Sequence, residues 1–116
     1  MEKEREPQGR ESGRGSGTVL LADDEEVMRE VAAEMLRGLG YKVVTASDGR
    51  RAVNAVRSAR EEFRAAILDV AMPVMSGWEA AGAIRAIRPH LPIVITSGHD
   101  IETATNDTQG VADACL

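Results

Sequence analysis

Ala65-Ala66-Ile67-Leu68-Asp69 is an unbroken apolar run that ends on a single acid. A run of this kind suits a strand covered on both faces, as in a parallel sheet, where alternation of polar and apolar residues is not needed. Upstream, Thr18-Val19-Leu20-Leu21-Ala22 runs in the same way into Asp23-Asp24. As neighbouring parallel strands, the two would bring three carboxylates to one sheet edge. Two carboxylates ~5 Å apart repel by roughly 3 kcal/mol at an effective dielectric of ~20, so the cluster calls for a cation or for protonation. Mg²⁺, which binds through few carboxylates and keeps several waters, would relieve the repulsion.

Outward from these runs, apolar periodicity alternates with strand signals. Val27, Met28, Val31, Ala32, Met35, Leu36 and Leu39 recur at helical spacing, with Glu26, Glu30, Glu34 and Arg37 mostly on the other side, and Gly38 and Gly40 mark the helix end. Tyr41 to Ala46 reads as a short strand, and Ser47-Asp48-Gly49 as a turn into a helix that carries Ala52, Val53, Val56 and Ala59 inward. After Asp69, a loop from Val70 to Gly77 leads to a helix with Ala80, Ala83, Ile84 and Ile87 on its core side, which Pro89 stops. Ile93-Val94-Ile95-Thr96 is a fourth buried strand. A helix over 101–109, capped by Gly110, is expected to rely on packing, because its threonines, Asn106 and Asp107 are poor helix formers. Ala114 to Leu116 begins a fifth strand. Alternation at these spacings predicts right-handed βαβ crossovers and an α/β doubly wound parallel sheet, with Asp23, Asp24, Asp69 and Thr96 all at carboxyl ends of strands.

Composition narrows the class. Residues 1–17 are charged and glycine-rich with no large apolar residue after Met1, and read as a flexible linker or leader; residues 18–116 form the domain. With one Trp, one Tyr and one Phe, the core must be aliphatic. A formal charge of −5 with scattered basic residues argues against a nucleic-acid surface. The single cysteine, Cys115, excludes an internal disulfide, and no run near 18 residues is apolar enough to span a membrane, so a cytoplasmic chain is expected. Trp78 is expected to cover the loop after Asp69, and His90 and His99 to lie on the surface.

Three blocks, Leu20-Leu21-Ala22-Asp23-Asp24-Glu25-Glu26, Leu68-Asp69-Val70-Ala71-Met72-Pro73-Val74-Met75-Ser76-Gly77 and Ile93-Val94-Ile95-Thr96-Ser97-Gly98, occur in this order at strand ends. In these blocks the chain resembles the receiver domain of two-component response regulators, from Gly17 to Leu116. The resemblance implies a flavodoxin-like sheet of order 2-1-3-4-5. It also implies that Asp69 takes a phosphoryl group from a phosphohistidine of a sensor histidine kinase or phosphotransfer domain. Asp23 and Asp24 would hold Mg²⁺ together with Asp69 and the backbone carbonyl of Ala71, and Thr96 would hydrogen-bond the phosphoryl oxygen as a switch. The glycine- and arginine-rich lead resembles the linker before the receiver of a hybrid sensor histidine kinase.

The chain departs from the family at its end. The lysine that follows the fifth strand in receivers has no counterpart, since Leu116 is the last residue and Lys3 and Lys42 are elsewhere. The fifth strand is therefore expected to be partial and the fifth helix missing, leaving an apolar face of several hundred Å² and a homodimer as one way to cover it. A non-phosphorylated docking module of the same fold is the alternative reading. A phosphatase with an aspartyl nucleophile is disfavoured, because Ala71 stands where that chemistry would want an acid.

Overall fold

In the computed structural model, residues 15–59, 62–96 and 112–115 are described. The elements follow in the order β1 (Thr18–Ala22), α1 (Glu26–Gly38), β2 (Lys42–Ala46), α2 (Gly49–Ser58), β3 (Phe63–Asp69), α3 (Gly77–Ile87), β4 (Ile93–Thr96) and β5 (Ala114–Cys115). One sheet contains all five strands in the order β2-β1-β3-β4-β5, and each pairing is parallel. The expected doubly wound order is therefore present, with β5 two residues long. The expected helix over 101–109 lies outside the described residues.

The uniformly apolar runs become the inner strands. Every residue of β1 is buried, as its place between β2 and β3 requires. Leu20, Ala66, Leu68, Ile93 and Ile95 form one core with Ala52, Val53 and Val56 of α2 and Ala80, Ala81 and Ile84 of α3. Val19 and Leu21 alternate with Leu20 and Ala22 and so leave β1 on the opposite face, where Ala33 is the fully buried residue of α1.

The helix ends carry local signals. Asp48 caps α2 by accepting from Arg51 N–H at 2.8 Å. Ser76 and Glu79 form a reciprocal capping box at the start of α3. At the end of α1, Gly40 takes φ +106°, its N–H bonds Arg37 and the next N–H, of Tyr41, bonds Leu36, which is a Schellman motif that requires glycine at that position.

The apolar stripe of α1 is the point at which the structure departs from the sequence reading. Val27, Met28, Val31, Met35 and Leu39 are all exposed, and the helix turns Ala33, with half-buried Ala32, Leu36 and Arg29, toward the sheet. Periodicity establishes that a helix has an apolar side, but not that the fold covers that side. Most of the exposed large apolar side chains among the described residues lie on this stripe of α1. Trp78 is half-buried and packs against the core, and His90 is exposed; His99 lies outside the described residues.

Candidate metal and phosphoryl site

Strand register builds the site. Ala22 of β1 is level with Leu68 of β3, so Asp23 and Asp69 each leave the sheet one residue later, side by side. Asp69 is level with Thr96 of β4, and Val70 N–H donates to the Thr96 carbonyl at 2.8 Å. This is where the chain order reverses, with β1 followed outward by β2 and β3 lying on its other side, the position at which open α/β sheets form their cleft.

One carboxylate oxygen from each of Asp23, Asp24 and Asp69 lies within 4.8 Å of the others. Asp69 and Asp23 are half-buried and Asp24 is exposed. Burial raises the Asp69 carboxyl above its ordinary range, and the charge of Asp23 raises it further; the N–H of Ala71 opposes this, Asp24 adds to the rise, and Val70 N–H opposes it. Hard carboxylate oxygens at this spacing fit a hard divalent cation of the Mg²⁺ type, which would favour the ionised form that the folded chain resists.

The turn that carries the acids is tightly tied. Asp23 N–H donates to Ala46 O at 3.1 Å, Asp23 Oδ1 accepts from Glu25 N–H at 2.9 Å, and Arg29 Nη1 donates to Asp23 O at 2.8 Å. Asp23 thus ties the turn that leads into α1, while the N-cap position itself is Glu25 and carries no side-chain cap. The loop after Asp69 is pinned at both ends: Met72 is buried, and Gly77 N–H donates to Val70 O at 3.1 Å. Between these anchors Val74 is 73% exposed at φ +70°, with Met75 N–H reaching Pro73 O at 2.6 Å across it. A β-branched residue in this γ-turn is strained, and its own side chain gains no packing in return.

Of the five residues expected from the sequence, Asp23, Asp24 and Asp69 converge and half-buried Thr96 lies beside Asp69 on the next strand; Ala71 bonds the Asp69 carboxylate through its N–H, whereas the expectation concerned its carbonyl. Sequence reasoning missed Arg29 and Gly49. A Cβ on Gly49 would run into the carbonyl of Met75, so the start of α2 supports the loop that follows the acid. Their signals were a basic residue one turn into an acidic helix and a glycine directly after a capping Asp.

A five-stranded parallel sheet with three carboxylates gathered at its switch point defines a doubly wound domain with an acidic cleft at its strand ends. A family model described as the response regulator receiver domain matches residues 19–115, and the chain belongs to this family. It is 37% identical over 83 residues to the probable transcriptional regulatory protein TcrX of Mycobacterium tuberculosis, covering 72% of this chain and 35% of TcrX. It is also 37% identical over 87 residues to the autoinducer 1 sensor kinase/phosphatase LuxN of Vibrio campbellii, covering 75% of this chain and 10% of LuxN. The chain therefore spans about a third and a tenth of these relatives. Among solved structures, the response regulator TrrA of Thermotoga maritima, in complex with Mg²⁺-BeF, superposes with a TM-score of 0.79 at 30% identity, covering 86% of this chain and 84% of TrrA. The receiver domain of a sensor histidine kinase from Pseudomonas aeruginosa PAO1, with a magnesium ion in its active site cleft, gives 0.77 at 30% identity, covering 88% of this chain and 84% of its own. No helix among the described residues is long and apolar enough to cross a membrane.

Proposed function

We propose that this domain is a phosphoacceptor switch that takes a phosphoryl group onto Asp69 from a phosphohistidine of a sensor kinase or phosphotransfer domain. The observation that carries the reading is the convergence of Asp23, Asp24 and Asp69 within 4.8 Å at the switch point of the sheet. An Asp69 oxygen attacks phosphorus, the new O–P bond forms as the N–P bond breaks, and the departing imidazole takes a proton from solvent. Phosphoryl transfer depends mainly on positioning and on charge neutralisation, so the carboxylate needs no separate general base. Bound Mg²⁺ supplies the neutralisation of the phosphoryl oxygens.

The chain's own residues do the rest. Asp23 and Asp24, with the Ala71 carbonyl and Asp69 itself, hold the cation. Burial keeps the Asp69 carboxylate basic, and so a better nucleophile once it is ionised. Thr96, level with Asp69, donates its hydroxyl to a phosphoryl oxygen, so the added charge is sensed at the end of β4. The docking-only alternative leaves the acid cluster unexplained. With Mg²⁺ and phosphoramidate, intact mass should show one phosphoryl adduct that a chelator prevents and Asp69→Ala abolishes. Absence of any adduct, or an adduct that survives Asp69→Ala, would reject the proposal.

A further inference from the structure

We infer that Arg29 is a positioning residue for the cation-holding acids and that it acts through the main chain of Asp23; the inference rests on the cation site proposed above. Arg29 stands one turn into α1, is half-buried, and gives Nη1–H to the Asp23 carbonyl six residues back at 2.8 Å. Glu25 and Glu26 lie within a turn of it, yet its hydrogen bond goes to a peptide carbonyl. A cation near a helix amino terminus opposes the macrodipole, so this placement carries a local electrostatic cost that packing alone does not require.

The bond completes a set. The N–H of Asp23 is held by Ala46, its Oδ1 by Glu25 N–H, and its carbonyl by Arg29, which fixes the peptide planes on both sides of the residue and one carboxylate oxygen. Without the guanidinium the Asp23–Asp24 peptide is free to rotate, and the spacing of these two acids from Asp69 loosens. The positive charge of Arg29 acts in the opposite sense by repelling a cation.

Isothermal titration calorimetry with Mg²⁺ alone separates the two effects. Arg29→Met, which removes donor and charge together, should weaken Mg²⁺ binding by about tenfold, the usual loss when a partner of a ligating residue is removed. Arg29→Lys, which keeps one donor and the charge, should lose clearly less than Arg29→Met, because the bond to the carbonyl is retained. Melting curves without Mg²⁺ establish that the variants are folded. Should Arg29→Met fail to fold, Arg29→Gln, neutral and too short to reach the carbonyl, must show the weakening instead. Binding by folded Arg29→Met or Arg29→Gln as tight as wild type or tighter, or equal losses in Lys and Met variants, overturns the inference. Absence of Mg²⁺ binding by the wild type would overturn the cation site itself, which is a distinguishable result.

Discussion

Gly77→Ala should cost the domain on the order of 3 kcal/mol, at the upper end of what overpacking costs. For a domain of this size that lowers the melting temperature by roughly 10–20 °C. Gly77 is buried at the first position of α3, and a Cβ there would run into the carbonyl oxygen of Asp69 and approach the Cα of Val70 at 3.0 Å. Both obstacles are backbone, and both belong to the strand end that carries the central acid, so no side chain can swing aside. Relief requires α3 to lift from β3 or the loop to shift, and either movement spoils the acid cluster. Gly82→Ala, in the same helix but with nothing within 4 Å of its added Cβ, should instead stabilise by about 0.5–1 kcal/mol through helix propensity. Urea denaturation of the two variants tests whether the close approach at Gly77 is responsible. Equal, small effects at both positions would refute it.

Asp69→Asn should produce a protein that is more stable and chemically silent. Without Mg²⁺ at neutral pH, it removes the carboxylate that the fold resists through burial and through Asp23 and Asp24, for a gain on the order of 1 kcal/mol after solvent screening at this half-open site. The sign follows from linkage. The folded Asp69 carboxyl lies above its unfolded value of 3.8, so its penalty is absent below pH 3.8, grows as pH rises toward the folded value, and is complete above it. The advantage of Asn should therefore vanish in acid. Asp113 is lowered by Ile93 N–H and by Arg85. Its contribution is present above 3.8 and lost as pH falls through its depressed folded value, equally in both proteins, so it cancels from the difference. Phosphoryl uptake should be absent in Asp69→Asn. Denaturation at pH 7 and below pH 3.8, with mass analysis after phosphoramidate treatment, checks both halves; an Asn variant less stable than wild type at pH 7 would contradict the electrostatic account.

The strands were legible because β1 is buried throughout, while β3 from Ala65 to Leu68 and β4 from Ile93 to Ile95 alternate buried with half-buried apolar residues, which leaves no polar period to compete. Convergence of the acids was legible for a related reason: a parallel order 2-1-3 places the ends of β1 and β3 side by side whatever the loops do. The face that α1 buries was not legible. Val27, Met28, Val31, Met35 and Leu39 have the spacing of a core face, and only the docking angle of the helix shows that small Ala33 takes that role. Val74 was equally hidden, since nothing in Pro73-Val74-Met75 announces a positive φ at a β-branched residue; the anchors at Met72 and Gly77 impose it from outside the tripeptide. Arg29 escaped because its partner is a carbonyl, and sequence patterns reveal side-chain pairs more readily than main-chain ones.

The gathering of Asp23, Asp24 and Asp69 around one divalent cation is the claim on which phosphoryl acceptance depends. Titrating the wild-type chain with Mg²⁺ while following its single tryptophan, Trp78, in the first turn of α3, tests it most directly. The account predicts one saturable transition, weakened at least tenfold by Asp23→Asn and by Asp69→Asn, in line with the loss of a ligand. A wild-type chain with no saturable response to Mg²⁺ by fluorescence or calorimetry, or a response that both substitutions leave unchanged, would contradict it.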